Sequence, residues 1–236
     1  MSVKIFPFSD DVLDALETSL SPERVATYAS AVGGDREKAL RLYTWNTAVS
    51  AAFYGPLQGL EVALRNAMHS RLSGCYGPDW YDNPACDLDG MTMNRIDEAK
   101  GKLQRGGYAI DPPHMVAELS FGFWVSLLGS GGYPRGPRGQ KKKNYEMTLW
   151  RPALYKAFPN ARMKRTQVHQ PLDYLRTFRN RIAHHEPIFN RHLQKDYDSI
   201  LMITGWMCPK TTDWIKHHSR VDQILQQDRY RGEVLF

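Results

Sequence analysis

Three arginines, an asparagine, two histidines and a glutamate lie close together between residues 176 and 186 of this 236-residue chain. A guanidinium group can hold a phosphate through a planar fork of donors, and an imidazole can move a proton near neutral pH. A segment that concentrates both groups therefore points to chemistry on a phosphate ester. The cluster consists of Arg176, Arg179, Asn180, Arg181, His184, His185 and Glu186.

The cluster follows the periodicity of one amphipathic helix. Apolar residues recur at helical spacing on one face, at Val168, Leu172, Leu175 and Ile182. Arg179 falls on the same face, where its guanidinium must be paired or must point into a protein-lined cavity, because burying it alone costs too much free energy. Pro187 disfavours helical backbone at Glu186 and therefore predicts the end of the helix there.

Arg176, Asn180 and His184 are four residues apart and form a second row on this helix. His184 and His185 fall in the last turn, where the negative end of the helix dipole favours a protonated imidazole. A structural role at the helix end is the simpler explanation for either histidine alone. The cluster as a whole favours a functional role.

The spacing of Arg179, Asn180 and His184 resembles the Arg-polar-x(3)-His signature of the HEPN superfamily of all-α ribonucleases. The wider string from Leu175 to Phe189 resembles, more narrowly, the Abi-like family of bacterial abortive-infection proteins (AbiD/AbiF type). Two further blocks are similar to this family, at Leu60–Leu72 and Leu119–Pro159. The resemblance covers the chain from about residue 40 to about residue 205.

RNA can be cut without a metal ion because its own 2′-hydroxyl serves as the nucleophile. The enzyme must then supply a base for that hydroxyl, an acid for the leaving 5′-oxygen and positive charge on the phosphate. We expect His184 to act as acid or base, Arg179 to hold the phosphate and Asn180 to orient His184. The further candidates on this segment are Arg176, Arg181, His185 and Glu186.

Arg179 and His184 are separated by about 140° around an ideal helix, so one helix does not easily bring both to one phosphate. The HEPN resemblance implies two protomers whose motifs line one cleft, and the second His184 then lets one imidazole act as base and the other as acid. We therefore expect a homodimer. The Abi-like resemblance also suggests a toxin in phage defense that is restrained by a noncoding RNA antitoxin.

Two other functions stay open. Some HEPN proteins only bind RNA, so the chain could be a non-catalytic RNA-binding module. A metal site could be built from His184, His185, His192 or the pair His217-His218, although adjacent histidines point to different sides of a helix. We expect no metal or cofactor. Chelator-insensitive cleavage that leaves 2′,3′-cyclic phosphate ends would separate the three possibilities.

Positive charge is concentrated around the motif. Residues 129–192 carry 14 Lys and Arg against 3 Asp and Glu, a net charge of +11, whereas the rest of the chain has a net charge of −5. This asymmetry is typical of a protein that binds a polyanion.

Within this region, residues 129–144 contain five basic residues and no acidic one. Their glycine and proline content predicts a flexible loop, either one that orders on RNA or a plain linker. The residues expected to contact RNA are Arg135, Arg138, Lys141, Lys142 and Lys143, together with Arg65 from an earlier helix.

Arg65, Asn66 and His69 repeat the residue types of the motif with one residue fewer before the histidine. Glu61 lies one turn before Arg65. A structural ion pair between Glu61 and Arg65 therefore explains this row more simply than catalysis does.

The remaining patterns are helical and contain no alternating strand signal, which predicts an all-α bundle. The resemblance implies, more narrowly, a HEPN-like helical bundle with additional helices. We expect one domain over residues 1–236, with N-terminal helices in residues 1–54, the basic loop at 129–144, and the motif helix with the C-terminal helices in 166–228. Gly55-Pro56 predicts a break between two helices. Three scattered cysteines argue against a disulfide framework. No membrane span or signal peptide is recognisable, so we expect a soluble, cytoplasmic protein.

Overall fold

The computed structural model describes residues 5–136, 140–231 and 234–236. The regular secondary structure of these residues is helical and includes no strand, which confirms the all-α class. The α-helices are α1 (Asp10–Leu20), α2 (Pro22–Ala31), α3 (Arg36–Tyr76), α4 (Gly90–Arg105), α5 (Pro112–Glu118), α6 (Phe121–Ser126), α7 (Arg165–Ala183), α8 (Leu193–Met207), α9 (Pro209–His218) and α10 (Val221–Leu225). Shorter turns are of the 3₁₀ type at Trp80–Asp82, Pro84–Cys86 and Leu154–Ala157, and of the π type at Glu146–Trp150. None of the described helices combines the length and the hydropathy that a bilayer span requires.

Local capping signals set the starts of the early helices. The hydroxyl of Ser21 accepts a hydrogen bond from the Arg24 amide (3.2 Å), and Pro22 occupies the first position of α2. The carboxylate of Asp35 accepts the Lys38 amide (2.9 Å) at the start of α3. Both starts therefore depend on capping residues that are close in sequence to the amides they bind.

Pro56 lies inside α3, which runs without interruption from Arg36 to Tyr76. The predicted break at this proline is therefore wrong. A proline within a helix removes a backbone hydrogen bond and costs about 3 kcal/mol. Its neighbours Phe53, Leu57 and Leu60 are buried, and the burial of such apolar side chains offsets that cost.

The chain forms two compact units, each assembled from segments that are distant in sequence. The first unit comprises residues 1–56, 180–198 and 217–236. In its core the indole of Trp45 donates a hydrogen bond to the Ile224 carbonyl (3.3 Å). The buried Asn46 side chain accepts the amides of Ile188 (2.8 Å) and Phe189 (3.1 Å). These bonds fix the segment that follows the motif helix against the first half of α3.

The second unit comprises residues 57–179 and 199–216. Its core contains an aromatic cluster in which the Trp80 and Trp124 rings are 5.8 Å apart and the Phe123 and Trp124 rings are 5.5 Å apart. The Tyr145 hydroxyl accepts the Asp89 amide (3.0 Å) and so joins the residues after the basic loop to the start of α4. Most of α7, including Arg179, belongs to this unit.

Candidate active site

The predicted apolar face of α7 is buried at Val168, Leu172, Leu175 and Ile182. Arg179, predicted on the same face, keeps 39% of its side chain exposed, whereas the adjacent Phe178 is fully buried. The helix thus turns Phe178 inward and leaves Arg179 at the margin of the buried face.

Glu61 of α3 is the ion-pair partner of Arg179. Arg179 Nε lies 3.7 Å from Glu61 Oε2, and 21% of the Glu61 side chain is exposed. This distance exceeds the roughly 2.7–2.9 Å of a charge-assisted hydrogen bond, and the guanidinium donates no hydrogen bond to any described residue. Of the two situations that the sequence allows for Arg179, an ion pair or a cavity, the structure shows the ion pair. The N–H groups of Arg179 are nevertheless available to an anion.

The end of α7 is closed by a turn centred on His185. The Glu186 amide donates to the Arg181 carbonyl (2.8 Å), and the His185 amide donates to the Ile182 carbonyl (3.0 Å), the two bonds of a Schellman motif. His185 has a φ of 56°, in the left-handed region that glycine usually occupies at this position. The helix therefore ends at Ala183, three residues earlier than the proline alone predicted.

The residues of this turn are exposed, namely His184, His185 and Glu186. The turn is held from two sides, because the guanidinium of Arg24 donates to the His185 carbonyl (2.7 Å) and Arg181 Nε donates to Glu186 (3.2 Å). The imidazole of His184 can thus be reached by a large substrate, while the backbone that carries it is fixed.

In the second row of α7, formed by Arg176, Asn180 and His184, the predicted contact between the side chains of Asn180 and His184 is missing from the described hydrogen bonds. Arg176 Nε donates to Asp173 one turn earlier (2.8 Å) and leaves 34% of its side chain exposed. Asn180 contacts His184 through the backbone, where its carbonyl accepts the His184 amide (2.9 Å). No side-chain hydrogen bond joins the two among the described residues, so the orienting role of Asn180 stays a prediction.

The Arg65-Asn66-His69 row in α3 has a different environment. The Trp80 indole donates to His69 Nδ1 (3.1 Å), and burial lowers the pKa of His69 below its usual value. Arg65 Nε is buried and has no hydrogen-bond partner among the residues that the structure describes. The predicted ion pair between Glu61 and Arg65 is wrong, because Glu61 pairs with Arg179 instead.

Both arms of the basic loop are anchored by contacts that the sequence did not indicate. The Lys143 amide donates to the Gly132 carbonyl across the loop (2.8 Å), and the Gly90 amide donates to the Tyr133 carbonyl (2.8 Å). The first bond joins the two arms of the loop, and the second fastens the loop to the first turn of α4.

The basic residues of this loop that are predicted to contact RNA differ in whether a carboxylate already neutralises them. Arg135 pairs with Asp97 (2.6 Å), and Lys143 pairs with Asp87. Lys142 donates to the Ser130 hydroxyl (3.0 Å), and Lys141 is exposed. Arg138 lies outside the described residues. Among the described residues of this loop, Lys141 and Lys142 are therefore the predicted contacts that have no carboxylate partner, and their charge is the most available to a polyanion.

Sequence reasoning missed three features. Glu61 was not recognised as the partner of Arg179, since the two lie on helices far apart in sequence. His169 of α7 is partly buried, and this burial lowers its pKa. The third is a basic groove around Arg162, Lys164 and Arg165, for which the sequence offered only the basic run before α7.

The comparisons with known proteins found no match: no family model fits the chain, and no curated protein and no solved structure is significantly similar to it. Over the part of the chain that the structure describes, no three histidine, cysteine, aspartate or glutamate side chains gather closely enough to hold a metal ion. The chemistry of the site is therefore inferred from its own residues.

Proposed function

We propose that this chain is a metal-independent endoribonuclease of the HEPN type, similar to the Abi-like family. The observation that carries the proposal is the state of the two central side chains. Arg179 is partly exposed, and its ion pair with Glu61 is long (3.7 Å), while His184 follows in an exposed turn with a fixed backbone. An available guanidinium on α7 and an accessible imidazole in the turn after it are the groups that RNA cleavage through the 2′-hydroxyl requires.

In the proposed reaction His184 removes the proton of the 2′-hydroxyl, and the 2′-oxygen attacks the adjacent phosphorus. The bond between phosphorus and the 5′-oxygen breaks, and an imidazolium returns a proton to that oxygen. The products are a 2′,3′-cyclic phosphate and a 5′-hydroxyl. Arg179 stabilises the additional negative charge on the non-bridging oxygens through paired N–H donors.

A homodimer completes this mechanism. The motif supplies one histidine per chain, His184, whereas the reaction needs a base and an acid, and Arg179 and His184 diverge by about 140° on an ideal helix. Two motifs in one cleft would supply both. Sedimentation analysis of the purified chain should give twice the monomer mass; a monomer that cleaves RNA would contradict the composite cleft.

His184→Ala should reduce cleavage of single-stranded RNA by about 10²–10⁴-fold, the usual contribution of general acid–base catalysis. His217→Ala is the matched control, because His217 is also an exposed histidine, and its ring lies 4.8 Å from the ring of the neighbouring His218. Circular dichroism should give the same helix content for both variants.

The assay should be run with a chelator present, and the product ends should be analysed. Equal activity in His184→Ala and the parent would remove this mechanism. Activity that disappears with the chelator would support the metal-dependent alternative instead.

The second candidate function is a non-catalytic RNA-binding module. It is favoured by the absence of a side-chain bond between Asn180 and His184 among the described contacts, which leaves the imidazole without the predicted orienting group. Stable RNA binding without cleavage under any of these conditions would select this function.

By its resemblance to the Abi-like family, we further propose that the nuclease acts as a toxin in phage defense and is restrained by a noncoding RNA. Induced expression of the parent, but not of His184→Ala, should then arrest bacterial growth. Sequencing the RNA that copurifies with His184→Ala would identify a restraining RNA. Equal toxicity of both proteins would contradict this role.

A further inference from the structure

A broad groove of about 1160 Å³ lies in the second unit, at the start of α7. Its walls come from the π turn Glu146–Trp150, from the 3₁₀ turn Leu154–Ala157, from the segment that leads into α7, and from Arg71 of α3. π turns are rare in proteins and occur frequently at functional sites. Among the residues that the structure describes, none of the predicted site lines this groove.

Six basic side chains line the groove, whereas Glu146 is the one carboxylate among its described lining residues. The basic residues are Arg71, Arg151, Lys156, Arg162, Lys164 and Arg165. Glu146 accepts hydrogen bonds from both Arg151 (3.3 Å) and Arg165 (3.0 Å), so it cannot neutralise both. The groove therefore carries a strong positive charge in a concave surface, which attracts an anionic ligand.

Two of these arginines are fixed before any ligand binds. Arg71 Nε donates to a backbone carbonyl (3.1 Å), as does Arg165 Nη1 (2.5 Å), and only 11% of the Arg165 side chain is exposed. Arg162 and Lys164 are exposed and form no ion pair with a described residue. Fixed guanidinium groups reduce the entropy cost of binding, and the two free side chains can follow an irregular backbone.

The groove also offers an aromatic surface. Tyr155 is 47% exposed, and the ammonium of Lys156 lies 5.6 Å from the centre of its ring. Trp150 and Phe158 supply the buried apolar part of the lining, with ring centres 6.1 Å apart. An exposed aromatic ring beside several cations is the combination that binds single-stranded nucleic acids, because bases stack on the ring while phosphates contact the cations.

We infer that this groove binds single-stranded RNA, with phosphates held by Arg162, Lys164 and Arg165 and with a base stacked on Tyr155. The inference rests on the proposed ribonuclease function, and it extends the substrate beyond the cleaved phosphate. Arg165 and Arg179 lie on the same helix and are separated by about 21 Å along its axis. The groove would therefore hold a flanking part of the strand.

The first experiment measures RNA binding by the full-length His184→Ala chain, so that cleavage does not interfere. The probe is a fluorescently labelled, unstructured RNA of about 12 nucleotides. In this background Arg162→Gln with Lys164→Gln should weaken binding and lower the magnitude of the slope of log K against log salt by about 1.4, the value for two lost phosphate contacts on a single strand.

The matched control is Arg105→Gln with Lys216→Gln. Both residues are exposed cations of the second unit that do not line the groove. This pair should leave the affinity and the salt slope as in the parent. If the Arg162/Lys164 variant behaves like this control, the inference is overturned.

The second experiment tests the stacked base. Tyr155→Ala should weaken RNA binding by about tenfold, whereas Tyr155→Phe should retain it because the ring remains. Unchanged binding in Tyr155→Ala would show that no base stacks on this ring and would overturn the inference. An acidic peptide that displaces the RNA at a lower concentration than unlabelled RNA does would show that the groove binds another polyanion, and it would also overturn the inference.

Failure of this inference and failure of the proposed function give different results. A parent protein that cleaves RNA while the groove variants bind normally contradicts the groove alone. A parent protein that never cleaves, but whose groove variants lose RNA binding, contradicts the nuclease and supports the groove.

Discussion

The arginine, asparagine and histidine of the motif occur twice in this chain, and the two sets differ most in their histidines. His69 is partly buried in α3 and accepts a hydrogen bond from the fully buried indole of Trp80. His184 is exposed in the turn that closes α7. One histidine of the two sets thus packs in a core and the other faces solvent, so residue types alone do not define a catalytic site.

The two arginines differ in their pairing with Glu61, and the sequence spacing had predicted that Arg65 would be the partner. Arg65 lies one helical turn from Glu61, yet its Nε is buried with no hydrogen-bond partner in the described part of the chain. Arg179 lies far from Glu61 in sequence and is its ion-pair partner. The carboxylate of Glu61, which was predicted to pair with Arg65, therefore pairs with Arg179 of the motif.

The largest effect that tests this comparison is expected at the arginines. Arg179→Ala should lower the single-turnover rate of cleavage at saturating RNA by about 10²–10³-fold, the loss typical of removing one donor to a developing charge. Arg65→Ala should leave that rate unchanged, since Arg65 is expected to contact RNA backbone at most. Equal losses in both variants would end the distinction between the two rows.

A smaller effect is expected on stability, at the histidines. His69→Ala should lower the free energy of unfolding by about 1–3 kcal/mol, because it leaves the buried Trp80 N–H without an acceptor. His184→Ala should stay within about 0.5 kcal/mol of the parent, as is usual for exposed positions. Urea denaturation followed by tryptophan fluorescence measures both values. A similar loss in the two variants would mean that His184 also has a structural role.

The smallest effect is expected on the pH dependence of stability. Burial lowers the pKa of His69 in the folded chain, so the unfolded chain binds more protons below the usual value of 6.5. The stability that neutral His69 contributes is fully present above about pH 6.5 and is lost as the pH falls below it. His69→Gln keeps an acceptor for Trp80 without titrating in this range.

Unfolding free energies measured between pH 5 and pH 8, a range that contains the usual histidine pKa of about 6.5, should fall less steeply towards acid pH in His69→Gln than in the parent. The parent keeps a residual dependence in either case, because burial also lowers the pKa of His169. Identical pH profiles would show that His69 does not titrate differently in the folded and unfolded chains.

Much of the helical framework could be predicted from local signals. The start of α2 at Ser21-Pro22 and the buried face of α7 follow from capping and from a 3.6-residue period, which depend only on neighbours in sequence. The turn after α7 was predicted less well. Its Schellman bonds place His185 in a left-handed conformation, and a histidine in the sequence does not predict this conformation as a glycine would.

Other features depend on residues that are distant in sequence. The continuity of α3 through Pro56 depends on the burial of its apolar neighbours, which a local rule for proline does not include. The basic loop is anchored to α4 by a backbone hydrogen bond from Gly90 to Tyr133 and by the ion pair of Arg135 with Asp97, and both join residues about 40 positions apart in sequence. The groove at the start of α7 collects basic and aromatic side chains from several elements.

The all-α class, the cluster at residues 176–186 and the excess of positive charge around it follow from the sequence alone, because periodicity, spacing and charge are properties of the chain. The partner of Glu61, the burial of one histidine and the groove of cations and aromatic rings are outcomes of folding. Those outcomes depend on which helices pack against each other, and packing is settled by the burial of the whole apolar surface rather than by any one motif.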